Sequence, residues 1–378
     1  MKPLRVFDIN MHHHWGGQPN RVLTYNKRLA KRGHEVVVSG PKDCMLCQRA
    51  AEAGIETFDD LELRRGFRPG SQWGDYQRLK RLFRERKFDI VHTHGSQDTW
   101  LAALAAKKMR PKIPVVRSRH NTFPIAAHAL NRWLYRRLID WVVTISPQVN
   151  DYLTGSGLFP AERITTIYSA PDEERFRPEL DGGVCRRELG IPAEAPVIGM
   201  VGRLAPEKGH ADLIEAVAKV VGDFPALRVV LVGKGRSEPD IRAQIERLGL
   251  REHFIITGFR TDVPELVAMF DIFTLTPTSG ESLGTSILEG FLMEKPAVAT
   301  DVGGVCQSVR DGETGFLVPP HAPERLADSY RRLLNDPELG RKMGRRGREM
   351  ALAEFGAEAL ADQTEQLYQH LANHRSSS

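Results

Sequence analysis

The chain has 378 residues, 41% of them hydrophobic and 27% charged, with a formal net charge of +5. That length suits two domains, the composition excludes a disordered chain, and no apolar run approaches the ~18 residues of a bilayer-spanning helix. Residues 1–180 hold 30 Lys and Arg against 19 Asp and Glu, whereas residues 181–378 hold 23 against 29, so the first half is expected to meet something anionic.

Short β-rich runs alternate with helical ones, the pattern of parallel sheets covered by helices. Residues 1–8 enter a strand pattern with no apolar signal segment, and four cysteines make no disulfide framework, so a reducing, cytoplasmic location is expected. Strands of the first half are predicted at 4–9, 35–39, 89–94, 115–117, 141–145 and 163–167. The first helix is expected to start near Pro19 and to stop at Gly33. Residues 61–87 carry Arg64, Arg65, Arg68, Arg78, Lys80, Arg81, Arg84, Arg86 and Lys87, with Trp73, Tyr76, Leu79, Leu82 and Phe83 interleaved at helical spacing. Such a helix suits an anionic membrane surface, and equally a basic surface helix whose apolar face is domain core. Arg132, Trp133, Tyr135, Arg136 and Arg137 form a second basic and aromatic cluster. No nucleic-acid motif accompanies this charge, so nucleic acid is not an expected partner.

A linker is expected at about 170–183, where Pro171, Pro178, Asp181, Gly182 and Gly183 gather. Strands of the second half are predicted at 197–201, 228–232, 254–257, 272–275, 297–300 and 316–318, with helices near 209–221, 238–248, 284–294 and 323–335. A last helix is expected at about 357–373. Ligands of open α/β sheets bind beyond the C-terminal ends of the strands, which is where the motifs lie.

The segment Gly280-Glu281-Ser282-Leu283-Gly284-Thr285-Ser286-Ile287-Leu288-Glu289-Gly290 carries the sharpest signal. Pro277 to Gly280 read as a loop, and from Gly284 on the apolar residues recur at helical spacing. A helix start offers N–H groups and a positive dipole end to a phosphate. Glu289 lies four residues after Thr285 on the same helix face, where a carboxylate can accept vicinal hydroxyls, as on a ribose. Glu281 at the loop tip can meet a sugar hydroxyl beyond the phosphates. Upstream, Gly202-Arg203-Leu204-Ala205-Pro206-Glu207-Lys208-Gly209 follows an apolar strand. Arg203 can fork two oxygens and Lys208 add a point charge, so both can converge on one diphosphate.

With Asp301-Val302-Gly303-Gly304, Gly315-Phe316-Leu317-Val318 and Trp15-Gly16-Gly17, these motifs make the chain resemble the retaining glycosyltransferases of family 4, group 1. The resemblance spans nearly the whole chain. It implies an α/β fold of the GT-B type, two Rossmann-like doubly wound domains facing an inter-domain cleft. Residues 1–175 would bind the acceptor and 176–355 the nucleotide-sugar, most often a UDP-sugar, while 356–378 would pack back on the first domain. In the catalytic set it implies His120 beside the reacting sugar, Glu281 orienting that sugar, and Arg203 and Lys208 neutralising the leaving diphosphate. Gly16, Gly17, Gly233, Arg260, Leu283, Gly284, Thr285 and Glu289 would complete the donor site, and His94, Arg119 and Asn121 would face the acceptor. Fixed cations serve the diphosphate, so neither metal nor cofactor is required. A glycan or lipid-linked acceptor is expected, such as a lipopolysaccharide core or cell-envelope polysaccharide, with docking on the inner face of the cytoplasmic membrane. The chain departs from the family at Ser282 and Leu283, where Gly and Phe are common, and at Cys306 and Gln307, where Pro and Glu are common.

Other motifs count for less. His92 and His94 alternate on one strand face but make no complete metal set. His12, His13 and His14 occupy the loop after the first strand, with one functional histidine the favoured reading. Cys44 and Cys47 form a lone C-x-x-C without the second pair that zinc would want. Gly233-Lys234-Gly235-Arg236 lacks the third glycine of a dinucleotide fingerprint, which disfavours a dehydrogenase. Two rivals remain: a GT-B enzyme of other chemistry, phosphorylase or epimerase, and a non-catalytic, membrane-docked nucleotide-sugar-binding protein.

Overall fold

The computed structural model describes residues 2–63, 66, 68–120, 125–126 and 128–374. Arg64, Arg65 and Asn121 lie outside them. The chain divides into two units, Met1–Ala170 with Ala357–Ser378, and Pro171–Gly356.

The first unit runs β1 (Arg5–Ile9), α1 (Gly17–Lys31), β2 (Glu35–Pro41), α2 (Met45–Glu52), β3 (Glu56–Leu61), α3 (Pro69–Arg86), β4 (Ile90–Thr93), α4 (Ser96–Lys107), β5 (Val115–Arg119), α5 (Ala129–Trp133), β6 (Trp141–Thr144), α6 (Pro147–Gly155) and β7 (Ile164–Thr166). The strands pair in parallel in the order β3-β2-β1-β4-β5-β6-β7. Side chains alternate across a strand, so each strand feeds two cores. Phe7, Ile9, Val91 and Val115 enter one core with Leu79 and Phe83 of α3 and Ala102 of α4. Val6, Val38, Ile90 and Val116 enter the other, with Tyr25 of α1. The edge strand β3 is mostly exposed and lacks an apolar pattern, which is why periodicity passes over it.

In α3 the two readings of the basic helix meet a clear geometry. Leu79 and Phe83 are fully buried, and Tyr76 and Leu82 pack partly against the same core. The apolar face is therefore domain core, and Trp73, 63% exposed, is the large apolar side chain left outside.

The second unit runs α7 (Gly183–Glu188), β8 (Val197–Val201), α8 (His210–Val220), β9 (Arg228–Val232), α9 (Glu238–Arg247), β10 (Phe254–Gly258), α10 (Val263–Ala268), β11 (Ile272–Leu275), α11 (Thr285–Leu292), β12 (Ala297–Thr300), α12 (Val305–Ser308), β13 (Gly315–Val318), α13 (Pro323–Asn335) and α14 (Pro337–Phe355). Its strands are parallel in the order β10-β9-β8-β11-β12-β13, the Rossmann arrangement. The predicted strands at 197–201, 228–232, 272–275 and 297–300 match the observed ones residue for residue.

The chain then returns to the first unit as α15 (Ala357–His374), which packs on α1. Arg32 bonds Glu358 and Glu365, and His34 bonds Glu365 at 3.0 Å. Among the described residues no helix is long and apolar enough to cross a membrane.

Candidate active site

Each sheet reverses its strand order once, between β1 and β4 and between β8 and β11, and ligands of such sheets bind beyond the strand ends at that point. In the second unit the reversal brings together residues distant in sequence. After β8 the chain makes a short 3-10 turn, Pro206–Lys208, and Gly209 takes the left-handed conformation at φ 67°. A Cβ on Gly209 would overlap the Thr276 carbonyl oxygen beyond β11, so only glycine fits there. The Thr276 hydroxyl donates to the carbonyls of Lys208 (3.3 Å) and Gly209 (3.0 Å), pinning the turn. Lys208 Nζ then lies 2.5 Å from Glu281 Oε2, with both side chains mostly buried. Arg203 points outward, 74% exposed, and pairs with Glu207 at 3.2 Å. The structure thus brings Lys208 and Glu281 together and leaves Arg203 on the rim.

The loop carrying Glu281 is held from beneath. Thr300 Oγ1 donates to Pro277 O at 2.6 Å, and Ser308 Oγ donates to Leu283 O. Gly304 packs against the Ser282 carbonyl at a distance that no Cβ would permit, so the Gly303-Gly304 pair supports this loop. Gly284 caps α11 in the left-handed conformation at φ 65°. Leu283 is buried, and Thr285 opens the helix in solvent; Ile287 N–H donates to Gly284 O at 2.8 Å, so the first-turn N–H groups ahead of the first helical bond are those of Thr285 and Ser286.

Glu289 sits one turn further along α11, half-buried, and no hydrogen bond to its carboxylate is present among the described residues. Loss of solvent, aided by Asp172 and opposed by Arg175, pushes its pKa up to about 7. A desolvated carboxylate that lacks a protein donor is suited to accept hydroxyls from a ligand. Gly233 has φ 143° and follows β9. Arg260 is committed locally: Nη1 and Nη2 fork onto Glu188 at 2.5 and 2.9 Å, and Nε and Nη2 bond Asp262 at 2.8 and 2.5 Å.

The first unit builds a buried polar chain at its own reversal point. Register places Asp8 of β1 beside His92 of β4. Asp8 Oδ1 lies 2.9 Å from His94 Nε2, and His94 Nδ1 lies 3.1 Å from His120 Nε2. Tyr25 donates its hydroxyl to Asp8, Asn26 Nδ2 donates to it at 2.9 Å, and His92 joins Tyr368 and Ser118 at 2.6 and 2.9 Å. Burial alone would raise the Asp8 carboxyl, but His94, with help from His92 and Tyr25, holds it below the usual carboxylate value. Burial, with His94, Arg21, His92 and Arg117 adding to it, pushes His120 well below the ordinary histidine range, so it is neutral at pH 7.

Proton positions follow from this chain of partners. An ionised Asp8 takes the Nε2–H of His94. The tautomers that satisfy both contacts have His94 Nδ1 accepting the Nε2–H of His120, which leaves His120 Nδ1 as the open acceptor nitrogen. Asp8 escaped the sequence reading, although an acid inside the apolar run Arg5-Val6-Phe7-Asp8-Ile9 was a usable signal.

Gly16 and Gly17 open α1, and a Cβ at either would meet no protein atom within 4 Å, so packing does not require glycine there. Asp8, His92 and His94 could offer three metal ligands, but their ligand atoms already bond one another, Tyr25, Asn26, Ser118 and Tyr368. In a second such group of Cys185, Glu188 and Asp262, both carboxylates are paired to Arg260. Cys44 caps α2, its sulfur accepting the Cys47 N–H at 3.4 Å, and both thiols are buried.

Comparisons with known proteins bear on both units. A model of the family described as "Glycosyl transferases group 1" matches residues 184–350, and one described as "Glycosyltransferase Family 4" matches residues 15–175. EpsD of Bacillus subtilis (strain 168) is 32% identical over 290 residues, 73% of this chain and 75% of its own. A solved glycosyltransferase structure from Rickettsia africae ESF-5 has a TM-score of 0.82 at 20% identity, covering 98% of this chain and 99% of that one. Anabaena HepE, solved in complex with UDP, has a TM-score of 0.77 at 23% identity, covering 97% of this chain and 100% of that one. Both structural likenesses are of fold.

Proposed function

This chain belongs to the group 1 glycosyltransferases of family 4, and we propose that it moves one sugar from a UDP-sugar to a hydroxyl of a glycan or lipid-linked acceptor, with retention of anomeric configuration. The observation that carries this reading is the joining of Lys208 and Glu281 at the sheet reversal of the second unit, with the carboxylate of Glu289, unbonded among the described residues, on the adjacent helix. The UDP complex of the structural neighbour HepE supports uridine as the base.

In this reading Lys208, Arg203 and the first-turn N–H groups of α11 stabilise the negative charge that develops on the departing diphosphate. Glu289 accepts the ribose hydroxyls, and Glu281 accepts hydroxyls of the transferred sugar. The neutral His120 offers Nδ1 as a hydrogen-bond acceptor at the sugar. The acceptor hydroxyl attacks from the side that the phosphate leaves, and a phosphate oxygen takes its proton, so no carboxylate nucleophile and acid pair is invoked.

Lys208→Ala tests this assignment. Initial rates of UDP release from UDP-sugars, with cell-envelope glycan fractions as acceptors, are expected to fall about 100-fold or more, the scale of losing one aimed transition-state charge. An unchanged rate in folded Lys208→Ala protein would remove Lys208 from the mechanism.

A further inference from the structure

Residues 99–139 hold nine Lys and Arg and no Asp or Glu. Four of those cations, brought from three places in the chain, surround one cavity of about 580 Å³ at the amino-terminal ends of β5 and β6. Lys107 closes α4, Arg110 and Lys112 lie in the loop before β5, and Arg137 lies on the turn Leu134–Leu138. That turn is wider than an α-helical one, Ile139 N–H donating to Leu134 O at 3.2 Å, a geometry that gathers at functional sites. Leu371 of α15 supplies an apolar wall.

The acid among the described lining residues is Asp140, and it is already engaged. Its Oδ2 accepts the Val115 N–H at 2.6 Å and Lys107 Nζ at 2.5 Å. Lys107 also suits the negative end of α4. The other three cations have no such account. Among the described residues Arg110, Lys112 and Arg137 form no ion pair, and Arg110 Nη1 donates to the adjacent Met109 O at 3.4 Å. All three are exposed. A concave site lined by one sign of charge focuses field lines on an opposite charge. The cavity lies at the opposite strand ends from His94 and His120, which follow β4 and β5.

We infer that this basic cavity is a separate anion site that takes a condensed phosphate, free as inorganic polyphosphate or carried on a nucleotide. The inference does not rest on the glycosyltransferase reading, since none of these residues belongs to the proposed donor or acceptor set. Three cations with no acid of their own match a chain of phosphates better than a single one. The two arginines can each fork a pair of oxygens, and Lys112 adds a point charge.

The test is calorimetry on the full chain, with tripolyphosphate, ATP and orthophosphate titrated in turn at about 0.15 M salt, which screens diffuse attraction beyond ~8 Å. Tripolyphosphate is expected to bind at least about 10-fold more tightly than orthophosphate, the scale of one further charge-assisted bond. Arg137→Glu and Lys112→Glu, both at exposed positions, are each expected to weaken it about 10-fold or more on the same scale. Arg81→Glu makes the same charge change at an exposed position on α3, and Lys208→Ala removes the cation of the proposed diphosphate site; both are expected to leave tripolyphosphate affinity unchanged. For ATP the affinity that Arg137→Glu removes is counted: if it exceeds that of tripolyphosphate the phosphates come on a nucleotide, and otherwise they come free. Equal affinities for tripolyphosphate and orthophosphate, no binding by them, an affinity that survives a reversal at Arg137 or Lys112 in folded protein, or one that falls as far with Arg81→Glu or Lys208→Ala would overturn the inference.

Discussion

At the scale of single residues, two acids, buried Asp8 and half-buried Glu289, have environments that push them in opposite directions. Asp8 is held ionised by its histidine and tyrosine partners, and Glu289 is pushed toward neutrality by lost solvent. A carboxyl whose folded pKa lies above its unfolded value stabilises the fold fully below the unfolded pKa and loses that contribution as pH rises through the folded one. For Glu289 the window runs from the ordinary value of 4.5 up to about 7. The full swing is about 3 kcal/mol at most. Glu289→Gln is therefore expected to raise the melting temperature at pH 8 and to leave it little changed at pH 4.5, as read by thermal scans across that range. An equal shift at both pH values would contradict the assigned burial.

Asp8 acts at one remove, through His94, on the tautomer of His120. Asp8→Asn keeps the shape and removes the charge that orders the chain, so kcat is expected to fall about 10-fold or more. UDP affinity should not change, since Asp8 lies in the first unit and the proposed nucleotide contacts lie in the second. A fall in UDP affinity with kcat intact would contradict this role. Lys208 and Glu281 stand out in the sequence because each lies in a loop shortly after a strand, and Glu289 because it shares a helix face with Thr285. The sequence hid the Lys208–Glu281 ion pair, which joins residues 73 apart, and the Asp8–His94 pair, 86 apart, because both depend on which strands become neighbours at the reversal.

At the scale of elements, α11 is the piece that must be held still, since it carries both the first-turn N–H groups and Glu289. It is backed by α14, whose glycines allow close approach. A Cβ at Gly344 would overlap the carbonyl oxygen of Glu294, and one at Gly347 would overlap the Phe291 ring. Gly344→Ala is expected to cost about 2 kcal/mol, a backbone shift having to make room. Chemical denaturation would measure it, and an unchanged midpoint would show that α14 is free to move. Helix α14 was not predicted, because glycines interrupt a pattern that otherwise marks a helix. The long helices α8, α9 and α13 were legible because their apolar residues recur at the helical period.

At the scale of the whole molecule, two parallel sheets each place polar residues where their strand order reverses. The first gathers histidines, an acid and two buried arginines, and the second a lysine, two glutamates and a helix start. Alternation of strands and helices was enough to predict this architecture, since each βαβ repeat leaves its own periodic trace. The return of α15 to the first unit was implied by family resemblance rather than by pattern. Its grip comes from Glu365 and Tyr368, which meet Arg32, His34 and His92 more than 270 residues earlier, contacts that no local spacing records.

The central claim is a nucleotide-sugar site in the second unit. Its most direct test is calorimetry of UDP-, GDP-, ADP- and dTDP-sugars against the wild type and Glu289→Ala. The account predicts selective binding of a UDP-sugar that is lost or weakened about 10-fold or more in the variant, the ribose hydroxyls losing their acceptor. Binding that does not discriminate among the bases, or that Glu289→Ala leaves intact, would contradict it.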